Sequence, residues 1–136
     1  MDVKSFDDIK SLIEFLKFQS ESNLLIEICG MVGLNDKNQI IYLSFKNRSP
    51  EPDKFFIVDP YDYLNFIKSF KPICFFHSHI YGDEKPSSFD EKSSENSCLA
   101  FLIYSVTSEK FFIYEPQIKK YDVTIVEGIR KSYEKD

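Results

Sequence analysis

Tryptophan is absent from the sequence, and cysteine and histidine are rare, with three and two residues respectively. The cysteines (Cys29, Cys74 and Cys98) form no Cys-x-x-Cys pair, and the N-terminus lacks the charged and apolar regions of a signal peptide. We therefore expect reduced thiols in the core rather than disulfides or zinc ligands. No apolar stretch approaches the ~20 residues that span a bilayer, so the sequence predicts a cytoplasmic protein without a membrane segment.

An excess of basic charge is also missing. The 22 acidic residues outnumber the 17 lysines and arginines, the net charge is −5, and the two signs are mixed along the chain. Because no basic stripe is available for a phosphate backbone, we expect no nucleic acid partner. The 136 residues fit one domain, residues 1–136, that is long enough to bury a hydrophobic core.

Aromatic residues, by contrast, are abundant, since 14 Phe and 8 Tyr make up 16% of the chain. Such side chains favour strands. The hydrophobic pattern predicts helices and strands in an α/β or α+β domain with a central sheet. The predicted helices cover residues 5–20, 59–71 and 87–97. The predicted strands cover residues 24–32, 39–45, 54–58, 73–78, 100–106, 111–114 and 123–126, followed by a charged end that frays.

Local signals mark the starts of the helices. Ser5, with Asp8 three residues later, resembles a capping box, and Asp59-Pro60 combines an N-cap with proline in the first turn. A serine caps the third helix. The apolar spacing predicts a buried face on the second helix, formed by Leu64, Ile67 and Phe70.

Both histidines of the chain, His77 and His79, lie two residues apart at the end of a predicted strand. Residues i and i+2 of a strand point to the same face, so both imidazoles can bind one metal ion. A catalytic zinc ion needs a third protein ligand and an open position for water. Asp90 is the natural third ligand, because it follows a turn that can bring the chain back over the strand end.

Two further polar residues are placed for catalysis. Ser87 lies three residues before Asp90, so both side chains would share one face of the first helical turn. Glu27 lies in an apolar segment between Ile26 and Ile28, where a buried carboxylate is costly unless it has a partner or a task. Activation of water by a metal requires a general base, which is such a task.

Each of these residues also has a structural interpretation. Strand histidines can be structural, Ser87 and Asp90 can each be a helix cap, and Glu27 can pair with a lysine. The loop of residues 83–85 is expected to be solvated, with a position lining the cleft as the alternative.

The sequence resembles the JAMM signature of MPN-type metalloproteases. The matching residues are Phe76-His77-Ser78-His79, then Ser87 and Asp90 at the spacing of the signature, and upstream the Glu-x-Cys-Gly segment Glu27-Ile28-Cys29-Gly30. The resemblance covers residues 24–116, and residues 47–50, 59–60 and 98–105 look most like small bacterial and phage-tail members. Ile80 departs from the pattern, since many members have proline after the second histidine.

The resemblance implies a role for each residue. His77, His79 and Asp90 would hold one zinc ion with water in the fourth position. Glu27 would be the general base and then the proton donor to the leaving amine, and Ser87 would donate a hydrogen bond to the oxyanion. The implied fold is a curved, mixed β-sheet flanked by helices, of the JAMM/MPN (cytidine-deaminase-like) architecture.

The resemblance also implies a substrate, the bond after the C-terminal glycine of a ubiquitin-like protein, cleaved by a deubiquitinase-like (iso)peptidase. Activating and conjugating enzymes would be associated partners. Processing of sulfur carriers and a peptidase role in phage tail assembly remain open alternatives, whereas a metal-free MPN scaffold predicts ligand substitutions that are not found. Metallo-β-lactamases, amidohydrolase barrels of ~250 residues and zinc deaminases fit less well, because their further motifs or length are missing.

Overall fold

The fold is described by a computed structural model that covers residues 2–134. Within these residues the chain forms six strands and four helices. The strands are β1 (Lys4–Phe6), β2 (Cys29–Leu34), β3 (Ile40–Phe45), β4 (Lys71–His79), β5 (Ala100–Ser105) and β6 (Lys110–Tyr114). The helices are α1 (Ile9–Glu21), α2 (Pro60–Ser69), α3 (Ser88–Ser97) and α4 (Val123–Glu134). The domain is therefore of the mixed α+β class, in agreement with the coarse prediction.

The strands of the described residues form one mixed sheet in the order β1-β3-β2-β4-β5-β6. Strands β4 and β5 are parallel, and all other neighbours are antiparallel. The parallel pair is connected through α3, because a parallel connection has to return to the starting end of the sheet. Strand β4 thus lies inside the sheet, between β2 and β5, and its last residues have a rigid support.

Helices cover both faces of this sheet. On one face α1 and α4 pack together, and Leu12, Leu16, Val126 and Ile129 are completely buried there. On the other face α2 contributes Phe66, whose ring meets the edge of Phe45. The two apolar clusters on either side hold the sheet in place.

The helix starts confirm two of the three predicted caps. Asp59 caps α2, with Pro60 as its first residue, and Ser87 caps α3. The predicted start of α1 at Ser5 was wrong, since Ser5 belongs to β1 and Asp8 is the N-cap. Residues 4–6 are extended and their backbone groups pair with β3, so they cannot also form the first turn of a helix.

The buried face of α2 differs from the predicted one. Leu64 and Ile67 are 48% and 39% exposed, whereas Phe66 is completely buried, and Phe70 is partly buried against the same cluster. Gly33 of β2 explains the choice, because a Cβ atom there would lie 2.6 Å from the ring of Phe66. Helical spacing alone does not show which stripe of a helix meets a gap in the facing sheet.

Two predicted strands were wrong in extent or in kind. The strand predicted for residues 24–32 begins only at Cys29, and Leu24 and Leu25 are 57% and 86% exposed. Residues 54–58 form no strand, and Val58 makes one isolated bridge to Asn47. The apolar composition of both segments favours strands locally, but each makes only isolated backbone contacts, such as Arg48 N–H to the Ile57 carbonyl and Glu27 N–H to the Pro52 carbonyl, and not a continuous ladder.

The C-terminal segment is a helix, not the strand predicted for residues 123–126. Its β-branched residues favour a strand locally. Burial of Val126 and Ile129 against α1 and the sheet decides in favour of the helix α4, which is an example of packing overriding propensity. The end that was predicted to fray is helical up to Glu134, and residues 135 and 136 lie outside the described part.

The cysteines are free, as expected, but differ in burial. Cys29 and Cys74 are buried, whereas Cys98 is partly exposed at the left-handed end of α3, with φ of 60°. The prediction of a core position is therefore wrong for Cys98. No helix within residues 2–134 is both long and apolar enough to cross a membrane.

Candidate metal centre

Strand β4 brings the two histidines together at its carboxyl end. His77 pairs with Cys29 of β2 and with Ile103 of β5, so its backbone is fixed from both sides. The Nε2 atoms of His77 and His79 lie 3.3 Å apart. His77 is completely buried and His79 is mostly buried. The two imidazoles thus share one face of the strand end, as the spacing of two residues predicts.

Helix α3 supplies Asp90 through its N-terminal cap. The Ser87 hydroxyl oxygen accepts from the Asp90 N–H at 3.1 Å, and an Asp90 carboxylate oxygen accepts from the Ser87 N–H at 3.0 Å. This reciprocal capping box fixes the side chain of Asp90 over the end of β4. Its carboxylate oxygens lie 3.2 Å from His77 Nε2 and 3.1 Å from His79 Nε2. The cap and ligand interpretations of Asp90 are therefore compatible.

The hydrogen bonds of His79 show which of its nitrogens can bind a metal. Nδ1 lies 2.8 Å from the carbonyl oxygen of Asp83, and because a carbonyl only accepts, Nδ1 carries the proton. In the neutral ring Nε2 then has a lone pair, which faces an Asp90 oxygen. Two such groups repel each other unless a cation or a proton lies between them. His79 is thus oriented as metal ligands are, with the outer nitrogen bonded to a carbonyl.

His77 is held by aromatic packing. Its ring stacks on Phe56, with ring centres 4.3 Å apart, and meets the ring of Phe101 edge-on at 5.8 Å. Among residues 2–134, its Nδ1 atom has no hydrogen-bond partner. The ring of His79 is oriented by the hydrogen bond between its Nδ1 and the Asp83 carbonyl, whereas the ring of His77 is oriented by packing against Phe56 and Phe101. This packing directs Nε2 of His77 towards Asp90.

The spacing of the three groups fits a small tetrahedral ion. Bonds of about 2.0–2.1 Å at tetrahedral angles place two ligand atoms about 3.3–3.4 Å apart. In the structure the two Nε2 atoms lie 3.3 Å apart, and each lies close to a different oxygen of the same carboxylate, His77 Nε2 3.2 Å from Asp90 Oδ1 and His79 Nε2 3.1 Å from Asp90 Oδ2. The buried group of His77, His79 and Asp90 could therefore hold a metal ion.

The electrostatics of the group also suit a cation. Burial opposes ionisation of Asp90, but the adjacent His77 and the hydrogen bonds from both histidines and Ser87 hold its pKa well below the usual range. Burial lowers the pKa of His77. For His79, burial is outweighed by the hydrogen bonds to Asp90 and to the Asp83 carbonyl, which raise its pKa. Asp90 thus stays anionic, and a metal ion would compete with a proton on His79.

Glu27 lies two residues before β2, which begins at Cys29. The sequence predicted a longer strand that included Glu27. Its residue is 5% exposed, and burial raises the pKa of its carboxyl to about 8. Within residues 2–134 its carboxylate forms no salt bridge, so the predicted alternative of a lysine partner is not found. A buried carboxyl with a raised pKa is typical of groups that transfer protons.

A cavity of about 150 Å³ is lined by Glu27 and by two of the three candidate metal ligands, His79 and Asp90. Its lining residues are Glu27, Lys54, Phe55, His79, Tyr81, Ser87 and Asp90. Four larger concavities in the described part of the chain, of about 200 to 600 Å³, are lined by none of the three candidate ligands. The structure thus brings four of the five residues selected from the sequence to one cavity, and the fifth, His77, lies buried beside it in contact with His79 and Asp90.

The loop of residues 83–85 takes part through its backbone. The Asp83 carbonyl binds His79, while its carboxylate accepts from the Lys85 N–H. The Glu84 carboxylate accepts from the Ser108 hydroxyl, and Lys85 lies over the ring of Phe112. None of these three side chains is among those that line the cavity. The loop therefore supports the site without contributing a charged group to it.

Sequence reasoning missed three residues that hold the site together. Besides Phe56, which stacks on His77, these are Ser78 and Asn47. The Ser78 hydroxyl accepts from the Ile28 N–H at 3.0 Å, and Asn47 Nδ2 donates to the Glu27 carbonyl at 2.8 Å. The position of Asn47 before Arg48-Ser49-Pro50 signals a turn, but contacts with a segment twenty residues earlier leave no local pattern in the sequence.

Comparison with known proteins is informative only for the fold. No family model and no curated protein matches the chain. Among solved structures, the chain is similar to the solution structure of protein DSY2949 from Desulfitobacterium hafniense, with a TM-score of 0.59 and 21% identity. The similarity covers 83% of this chain and 91% of that chain. At this level of identity the two proteins share a fold.

Proposed function

We propose that the chain is a zinc-dependent peptidase of the JAMM type, with the corresponding MPN architecture. The observation that carries the proposal is the cluster of His77, His79 and Asp90, two of which line a cavity together with Glu27. Three ligating groups and a buried carboxyl of raised pKa form the set that metal-assisted hydrolysis requires. The resemblance of the motifs to the JAMM signature supports the same assignment.

Zinc bound by the three side chains would supply a Lewis acid that makes water acidic near neutral pH. Glu27 takes the proton of the attacking water, and the positive charge of a bound cation lowers its pKa from about 8 towards neutrality. The protonated carboxyl then donates to the amine that leaves. Glu27 can serve both steps because it lies in the cavity and is not one of the three ligands.

Ser87 has a hydroxyl proton available for the substrate. Its oxygen accepts from the Asp90 N–H, and this bond uses a lone pair rather than the proton. The hydroxyl therefore donates to the carbonyl oxygen as negative charge develops on it. A donor of this kind stabilises the transition state by about 3–4 kcal/mol.

The proposed substrate is the extended C-terminal tail of a ubiquitin-like protein, cleaved after its last glycine at a peptide or isopeptide bond. An extended tail can pair with exposed backbone and deliver its scissile bond to a small cavity. Activating and conjugating enzymes of the same ubiquitin-like protein are the proposed partners. Sulfur-carrier tails and phage tail proteins are the competing substrates.

The test is mass spectrometry of a panel of ubiquitin-like proteins and sulfur carriers that carry C-terminal extensions or isopeptide-linked lysines. Each is incubated with the zinc-loaded enzyme and with its Glu27→Gln form. Cleavage after the tail glycine by the wild type alone supports the proposal. If the zinc-loaded wild type cleaves no member of the panel, the ubiquitin-like substrate is wrong, and cleavage of a phage tail protein instead would assign the same chemistry to assembly.

A further inference from the structure

One side chain connects the segment of Glu27 to the loop between β3 and α2. Asn47 Nδ2 donates to the carbonyl oxygen of Glu27 at 2.8 Å. It also lies 3.3 Å from the carbonyl oxygens of Pro52 and Phe55. These carbonyls belong to two stretches of chain that are more than twenty residues apart, so the amide joins the wall of the cavity to the residue that carries the base.

The other end of the same amide orders the loop itself. Asn47 Oδ1 accepts from the backbone N–H groups of Ser49 and Ile57, both at 3.0 Å. Because residues 54–58 make only one isolated bridge, at Val58, the Asn47 oxygen satisfies the Ile57 N–H, a donor that a continuous ladder would otherwise bind. The loop carries Lys54 and Phe55, which line the cavity. Asn47 therefore determines the shape of this wall.

Glu27 depends on the loop because its residue precedes the first ladder residue of β2. Its N–H donates to the Pro52 carbonyl at 2.7 Å, and its carbonyl accepts from Asn47. Both backbone groups of the proposed base are thus bonded to the loop of residues 47–58. A displacement of the base by about 1 Å is enough to lower a catalytic rate about 100-fold.

We propose that Asn47 is a positioning residue, which holds the carboxyl of Glu27 at its distance from the metal ligands through the backbone of residue 27. The inference rests on the proposed function, since it assigns Glu27 as the base. Asn47 contacts neither the metal ligands nor the cavity. Its removal should therefore affect the turnover step and leave zinc binding intact.

The test compares Asn47→Asp with a matched variant, Asn35→Asp. Aspartate at position 47 keeps the acceptor for Ser49 and Ile57 but replaces the donor with an oxygen that faces carbonyls. Asn35 makes a similar set of bonds, with Gln39 and Lys37, in the turn between β2 and β3. This turn lies at the opposite end of the sheet, where Leu34 pairs with Lys71.

Three quantities are measured for each protein: zinc content, kcat and KM on the substrate that the wild type cleaves, and exchange of the Glu27 amide hydrogen. We expect Asn47→Asp to keep one zinc ion, to lose about 100-fold in kcat with KM changed less than about twofold, and to exchange faster at Glu27. Asn35→Asp should match the wild type in all three. Asn47→Ser, which retains a shorter donor, serves as a second variant if Asn47→Asp does not fold.

A wild-type kcat in Asn47→Asp, an equal loss in Asn35→Asp, or failure of both position-47 variants to fold would overturn the positioning role. If the wild type itself cleaves nothing, the proposed function fails. Exchange of the Glu27 amide hydrogen in Asn47→Asp then still tests whether Asn47 holds the backbone of residue 27. Unchanged exchange at Glu27 would then contradict the link, whereas faster exchange confined to residues 27 and 49–57 would uphold it.

Discussion

The Nε2 atoms of His77 and His79 lie 3.3 Å apart, and a carboxylate oxygen of Asp90 lies within 3.2 Å of each. Both nitrogens and both oxygens can each hold a proton or bind a metal ion, so the group offers several ligating atoms in one small space. The strand end and the helix cap that hold these side chains do so by backbone geometry, independently of any ion. The site is therefore preorganised, which reduces the ordering cost of binding.

The Glu27→Gln variant should keep its zinc and lose catalysis. The amide has nearly the shape of the carboxyl but cannot take a proton from water, so we expect kcat to fall at least about 100-fold. Elemental analysis and kinetics measure the two properties separately. Glu91→Gln is the control, because Glu91 is exposed in the first turn of α3. Loss of zinc from Glu27→Gln alone would show that Glu27 is a ligand rather than a base.

The stability of the metal-free protein should fall as the pH rises from about 5 to 8, in part because of Glu27. Its pKa rises from 4.5 to about 8 on folding, so in this window the native state binds more protons than the unfolded state. Unfolding free energy then decreases with pH, by roughly 2–4 kcal/mol for this group. Urea unfolding of chelator-treated wild type and Glu27→Gln at pH 5 and 8 measures the difference. A wild-type slope equal to that of Glu27→Gln would contradict a raised pKa.

Replacement of Ser87 by alanine should reduce both catalysis and stability. Loss of the oxyanion donor is expected to lower kcat about 100–1,000-fold. Loss of the helix cap costs about 1 kcal/mol of unfolding free energy. Ser87→Thr keeps the hydroxyl and should restore most of both, and Ser88→Ala, at the next exposed position, should change neither. If Ser87→Ala loses stability but keeps wild-type kcat, Ser87 is a cap only.

Phe66, rather than Ile67, should anchor α2. Phe66→Ala removes a completely buried ring and should cost about 3–5 kcal/mol of unfolding free energy. Ile67→Ala removes a side chain of a residue that is 39% exposed and should cost less than about 1 kcal/mol. Urea denaturation of the two variants gives both values. Equal costs would mean that the sheet accepts either stripe of the helix.

The sequence predicts which residues meet at the site better than it predicts the extent of the elements around it. His77 and His79 could be placed from strand periodicity, and Ser87 with Asp90 from the helix cap, because both signals are local. Glu27 could be selected because it is a carboxylate within an apolar segment. Its position outside β2, however, depends on hydrogen bonds with Pro52 and Asn47. Such contacts leave no periodic pattern.

The mistaken elements have the same physical origin. Residues 123–126 have strand propensity, yet α4 forms because Val126 and Ile129 fit against α1 and the sheet. Residues 54–58 are apolar, yet their neighbour is the side chain of Asn47 rather than a strand. In both segments a distant partner determines the conformation, and a single sequence does not show that partner.

The central claim is that His77, His79 and Asp90 hold one zinc ion, and anomalous diffraction from zinc-equilibrated crystals tests it most directly. Data collected above and below the zinc absorption edge locate the metal without reference to activity, with His77→Ala crystals as the control. The account predicts one peak bonded to His77 Nε2, His79 Nε2 and an Asp90 oxygen, and no peak there in His77→Ala. A wild-type map without a peak between these three side chains would contradict it.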